Sequence, residues 1–207
     1  PDAYKTVIEE SRQTSNTEAV LWKIEKSGVA PSYLLGTMHL SDPRISRLSA
    51  RQQDLIAHSK SVALEVADLS EKAVGEAMAK AGHLLLYTDG HTLNAQLTDD
   101  EFKVVQRLVK EAGMPEDASG LVKPWLVSML LATSDCERKQ VVAGAKVLDL
   151  QVAEEAKKHG LTVKGLETIE QQLESLASIA DDQQVAMLKV GIKYADRTDD
   201  LMESLVQ

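Results

Sequence analysis

Three short apolar runs, each of strand length, lead into a residue that carries chemistry. Tyr33-Leu34-Leu35-Gly36-Thr37-Met38-His39 ends in Gly-x-x-His; Ser61-Val62-Ala63-Leu64-Glu65 and Thr162-Val163-Lys164-Gly165-Leu166-Glu167 each end in a glutamate. A strand of this kind carries its last side chain to the carboxyl edge of a sheet, where α/β folds gather ligands and catalytic groups. The small Gly36 suits a close backbone approach just before His39. One imidazole and two carboxylates at such an edge suit either a divalent metal or acid–base work.

The pattern around these runs predicts an α/β fold. Val20-Leu21-Trp22-Lys23-Ile24-Glu25 alternates with period two and precedes Ser27-Gly28, a hairpin signal with a loop of several residues around Gly28 and Pro31. Ile45, Leu48, Leu55 and Ile56 suit a helix that returns the chain to the Val62 run, and such a β–helix–β passage favours parallel pairing of the second and third strands. The expectation is a small central mixed sheet, made of an N-terminal hairpin plus parallel strands. A large helical insertion over residues 69–160 and a helical C-terminus surround it. Within the insertion, Thr98-Asp99-Asp100-Glu101 reads as a capping box, and Phe102, Val105, Leu108 and Val109 form one helical face behind it. Pro124 suits a first helical turn. Thr168-Ile169-Glu170-Gln171 is a second capping box and places Glu167 just before a helix start.

Composition narrows the function classes. The chain has 207 residues, enough for one sizeable core. Aromatics make up 3% and the net charge is −9, which disfavours base stacking and phosphate-backbone binding alike; a nucleic-acid reader is not expected. No apolar run approaches the roughly 18 residues of a membrane span. The single cysteine, Cys136, excludes an internal disulfide and a cysteine-based zinc site, and it leaves the compartment open. The opening Pro1-Asp2, in place of Met, reads as a processed or excised form.

Each candidate residue also has a plain structural reading. Glu65 sits inside an apolar run, so it is expected to be largely buried and paired, either with His39 or with a cation such as Arg44 or Lys60. Glu167 suits the dipole of the helix that starts at Thr168. Asp149 reads most simply as an N-cap ahead of residues 150–158. His58, His83, His91 and His159 read as residues of helix ends and turns, and Cys136 as a small hydrophobe. If the three runs are neighbouring strands, the ligand atoms of His39 and Glu65 should lie within roughly 6 Å of each other.

Taken in order, these pieces resemble the TraB/GumN/TIKI family, a group similar to the EreA and ChaN proteins. The matching segments are Leu21-Trp22-Lys23-Ile24, the run from Tyr33 to Leu40, Val62-Ala63-Leu64-Glu65, Thr92-Leu93 and Leu97-Thr98-Asp99-Asp100-Glu101. Lys123-Pro124-Trp125, Leu148-Asp149, and Gly165-Leu166-Glu167-Thr168 with Gln171-Gln172-Leu173 complete the set. The resemblance implies one domain over residues 1–207, with a site of two Gly-x-x-His motifs and a glutamate. Animal TIKI members are metal-dependent proteases. Gly36 and His39 match the first motif and Glu65 matches the glutamate, with Asp149 in a supporting segment. No second Gly-x-x-His occurs before Gln207, so the expectation is a C-terminally incomplete domain. The resemblance thus implies a peptidase-like hydrolase that uses Mn, Co or Zn. His39 and Glu65 would be its ligands, and its substrate a peptide or small molecule; Glu65 and Glu167 are the catalytic candidates, with Glu167 open as a further ligand, an orienting group or a general base. The resemblance also favours a periplasmic or secreted location. The alternative is a non-catalytic binder of heme or a peptide on the same scaffold, with His39 as the axial ligand of a heme.

Overall fold

The computed structural model describes residues 19–206; the opening Pro1-Asp2 and the terminal Gln207 lie outside them. The described residues divide into a hairpin unit up to Met38 and a larger unit from His39 onward.

The hairpin pairs β1 (Leu21–Lys26) with β2 (Val29–Leu35) antiparallel, Leu21 opposite Leu35 and Lys23 opposite Tyr33. The turn is tighter than the loop expected around Gly28 and Pro31. It consists of Ser27 and Gly28 alone, and Gly28 takes a φ of 75°, which a residue with a Cβ adopts at a cost. Pro31 lies inside β2. The register shifts between Ile24 and Lys26, so β2 carries one extra residue there, and a bulge is where a strand tolerates the missing N–H of proline.

In the larger unit, α1 (Ala50–Ala57) leads to β3 (Ser61–Val66), and β3 pairs in parallel with β4 (Thr162–Glu167). The parallel partner of β3 is therefore the strand 101 residues downstream, and not the run through Leu35 that the β–helix–β passage favours. The pairing among the described residues is divided between two two-stranded sheets. The α/β class, the hairpin, the parallel strands and the helical C-terminus stand.

Between β3 and β4 run α2 (Glu71–Lys80), α3 (Gly82–Leu85), α4 (Asp99–Glu111), α5 (Pro124–Ala132), α6 (Asp135–Val142) and α7 (Leu148–Lys158). After β4 come α8 (Ile169–Ala177), α9 (Asp181–Lys193) and α10 (Thr198–Val206). Both expected capping boxes are reciprocal: Thr98 accepts from the Glu101 N–H while Glu101 accepts from the Thr98 N–H, and Thr168 and Gln171 do the same. Pro124 opens α5 as its φ and missing N–H suit. No helix among the described residues is long and apolar enough to cross a membrane.

The main core lies in the helical part. Leu93, Val105, Val109, Val122, Val127 and Leu188 are fully buried, and Leu173 of α8 joins them. Trp125 donates its indole N–H to the Leu84 carbonyl at 3.0 Å, which satisfies the one polar atom of a large buried ring. A second, smaller core places α7 against α1, β3 and β4 through Val152, Ala153 and Ala156, with Ile56 and Val66 buried beside it. This packing positions the residues discussed below.

Tyr87 ties the two ends of the main core together. Its hydroxyl donates to Asp181 at 2.5 Å and accepts from Gln96 at 3.1 Å. Burial first, and then the bond to Asp181, push the Tyr87 phenol up to about 12. The unfolded chain ionises the same phenol near 10. Its contribution is therefore fully present below about pH 10 and is lost as the pH rises through about 12. Chemical denaturation across this window should show a steeper loss of stability in the native chain than in Tyr87→Phe, and equal slopes would contradict the assignment.

Candidate functional site

His39 lies four residues past the end of β2, at the start of the larger unit, with its imidazole largely exposed. Each ring nitrogen faces a carboxylate. Nε2 is 3.3 Å from Oε2 of Glu65, and Nδ1 is 3.6 Å from Oδ2 of Asp149. The first distance is within hydrogen-bond range; the second is an ion-pair distance. The two carboxylates differ sharply in setting, with side-chain exposures of 54% for Glu65 and 8% for Asp149.

Glu65 was expected to be largely buried, and it is exposed. The reason is the pleat. Val62, Leu64 and Val66 share the inward face of β3 and pack toward α7, whereas Ser61, Ala63 and Glu65 share the outward one. Gln172 of α8 donates its amide N–H to Glu65 Oε2 at 3.5 Å, a long contact that helps orient the carboxylate. Arg44 pairs instead with Asp42 and Glu203. The partners of Glu65 are therefore His39, the first of the two expected, and Gln172, in place of a cation such as Arg44 or Lys60.

Asp149 is not an N-cap. Helix α7 begins at Leu148 with Val147 in the cap position, so Asp149 sits inside the first turn, where the helix dipole favours a carboxylate. Glu167 pairs in register with Val66. Paired residues of neighbouring strands share a face, so Glu167 lies on the opposite side of β3–β4 from Glu65. The structure does not bring it to the His39–Glu65 pair. Gly36, in the hairpin unit, donates its N–H to the Val20 carbonyl at 2.7 Å. A Cβ there would lie 3.7 Å from that oxygen, an ordinary contact, so the close approach expected at Gly36 is not demanded.

The segment after His39 is held from several sides. The Ser41 N–H donates to Oε1 of Glu137 at 2.8 Å, and the Ser46 hydroxyl donates to the Ser41 carbonyl at 3.1 Å. Both serines and Glu137 are buried. Arg44 makes paired contacts to Asp42 and to Glu203 of α10, with distances of 2.7 to 3.0 Å. These bonds hold the Asp42 carboxyl below its ordinary value and raise Arg44, first through Glu203 and then through Asp42. A cavity of about 350 Å³ lies beside this segment, lined by Leu40, Arg44, Cys136, Glu137, Met202 and Glu203 among others. Gln172 and Glu137 are the contributors that sequence reasoning did not single out. Gln172 stands one residue past a recognised capping box and inside the Gln171-Gln172-Leu173 segment of the resemblance, neither of which gave it a role at the site.

The class these features define is an α/β protein with a histidine bracketed by carboxylates beside a parallel strand pair. The family model described as TraB/PrgY/gumN matches residues 20–207, and the chain belongs to that family. No curated protein and no solved structure matches it.

Among the described residues, no group of three or more His, Cys, Asp or Glu side chains is arranged to hold a metal ion. One imidazole offers one nitrogen to an ion. The residues that could hold a divalent metal are therefore two, His39 Nε2 and Glu65, with Asp149 beside the other ring nitrogen.

The two motif glycines should respond differently to substitution. A Cβ on Gly165 would meet the Ala67 nitrogen and the Glu167 oxygen, each at 3.0 Å and both backbone atoms. Gly165→Ala should cost roughly 1 to 3 kcal/mol in denaturant unfolding, and Gly36→Ala less than about 0.5 kcal/mol. The reverse order would refute this difference in crowding at the two glycines.

Proposed function

We propose that this chain is a peptidase-like hydrolase that uses a divalent metal, with His39 and Glu65 as the protein groups at the reacting centre. The observation that carries this reading is the bracketing of one exposed imidazole by two carboxylates of unlike burial. Nε2 is within hydrogen-bond reach of Glu65, and buried Asp149 faces Nδ1; with the ring proton on Nδ1, Nε2 would be free to hold a metal. Gln172 and His39 both contact Oε2 of Glu65 and limit its rotation. Glu65 is then the group placed to take a proton from water as it adds to a substrate carbonyl, and to return it to the leaving amine as the C–N bond breaks. When bound between His39 and Glu65, the metal would supply Lewis acidity and make water more acidic. Glu167, on the other strand face, has no part in this arrangement. The exposure of His39 and Glu65 suits a substrate that approaches from solvent.

Calorimetric titration with Mn²⁺, Co²⁺ and Zn²⁺ tests the reading. With two protein ligands the affinity should be weak. His39→Ala and Glu65→Gln should abolish binding, and Asp149→Asn should lower the affinity about 10- to 100-fold. Binding that survives His39→Ala would overturn the assignment. A Soret band on heme titration that disappears in His39→Ala would replace it with the heme-binding alternative.

A further inference from the structure

Four helices among the described residues begin with a serine or threonine followed three residues later by Glu or Gln. They start at Ser49/Gln52, Thr98/Glu101, Ser134/Glu137 and Thr168/Gln171. In three of them the pair is reciprocal: the hydroxyl accepts from the third helical N–H, and the Glu or Gln side chain turns back to accept from the cap residue's own N–H. Helix α6 is the exception. Ser134 accepts from the Glu137 N–H at 3.1 Å, but the Glu137 carboxylate leaves its own helix and accepts from the N–H of Ser41, 96 residues away, at 2.8 Å. The helix gives up half of its cap for a contact with the segment that follows His39.

That contact is buried and has company. Glu137 is 9% exposed and Ser41 is 2% exposed, so the bond is made where an unmatched carboxylate is costly. A charged acceptor to a backbone N–H is among the stronger hydrogen bonds. Gln140, one turn further along α6, faces the Ser41 hydroxyl at 3.4 Å, and Ser46 closes on the Ser41 carbonyl. Ser41 stands two residues after His39, and a backbone anchored there leaves the imidazole little freedom to swing away from Glu65 and Asp149.

We infer that Glu137 is a positioning residue for His39: its carboxylate anchors the backbone at Ser41 and so holds the imidazole between Glu65 and Asp149. The anchor ties the helical insertion to the site. The inference deepens the proposed function in that it supplies the residue on which the geometry of that site depends. Its structural half stands even if no metal binds.

Two variants separate length from charge. Glu137→Gln keeps an acceptor oxygen at the same reach, and Glu137→Asp keeps the charge but falls one methylene short. Amide hydrogen exchange and histidine ring ¹H–¹⁵N spectra are read without metal, with melting as the check on folding. Glu137→Asp should speed exchange at the Ser41 amide at least about tenfold, the loss expected for one buried hydrogen bond. It should also move the His39 ring resonances while leaving those of His58, His91 and His159 in place. Glu137→Gln should restore both toward the native values. If the native chain binds Mn²⁺ or Zn²⁺, the Asp variant should bind it at least about tenfold more weakly, in line with the effect of losing an orienting contact. Should Glu137→Asp fail to fold, Glu137→Gln carries the test, with native His39 resonances and Ser41 protection expected. Unchanged Ser41 exchange and His39 resonances in Glu137→Asp, or displaced resonances in a folded Glu137→Gln, would overturn the inference. A metal-silent native chain with a displaced His39 in Glu137→Asp would instead count against the metal reading and leave the positioning role intact.

Discussion

The candidate site depends on the packing of α7 against β3 and β4. Two parallel strands are not stable alone, because their apolar faces stay in water and their backbone pairing is short. Val152, Ala153 and Ala156 of α7 cover one face and bury Val66 with it. That choice of face has two consequences. It turns Glu65 outward, since the pleat alternates, and it sets the first turn of α7 where Asp149 can face the other nitrogen of His39. Both carboxylates around the imidazole follow from one packed helix.

The electrostatics of the site suit that frame. Asp149 is buried at a helix start, where the backbone N–H groups and the helix dipole favour a negative charge. Glu65 is exposed and held only by contacts at the edge of hydrogen-bonding distance. The two carboxylates that flank the histidine thus differ in burial and in the backbone that surrounds them. The exposed Arg44 contacts nearby have a different character. They join Asp42 and Glu203 across the surface, where solvent screening weakens each pair.

Glu137 shows how a local rule gives way to a tertiary demand. Ser134 and Glu137 have the residue types of a capping box, and nothing in the local spacing separates them from Thr98 and Glu101. The Thr98 box is exposed, and its glutamate has its own helix start as its partner. Glu137 is enclosed beside Ser41, whose N–H would otherwise be buried without an acceptor. The cost of an unmet buried donor decides which bond forms.

The amino-acid sequence by itself determined the local structure and the family. Period-two alternation marked β1, the Thr98 and Thr168 boxes marked two helix starts, and ordered segments from Leu21 to Leu173 carried the kinship. His39 and Glu65 were legible as a pair because each closes an apolar run. Four features were not legible. They are the parallel partner of β3, the outward turn of Glu65, the place of Asp149 inside α7 and the diversion of Glu137 to Ser41. Each depends on what packs against the residue from a distant part of the chain. Helix caps, turns and periodicity are settled within a few residues. Which strand face is buried, and which donor is left needing an acceptor, is settled only when α7 and α6 come to rest against segments roughly a hundred residues away.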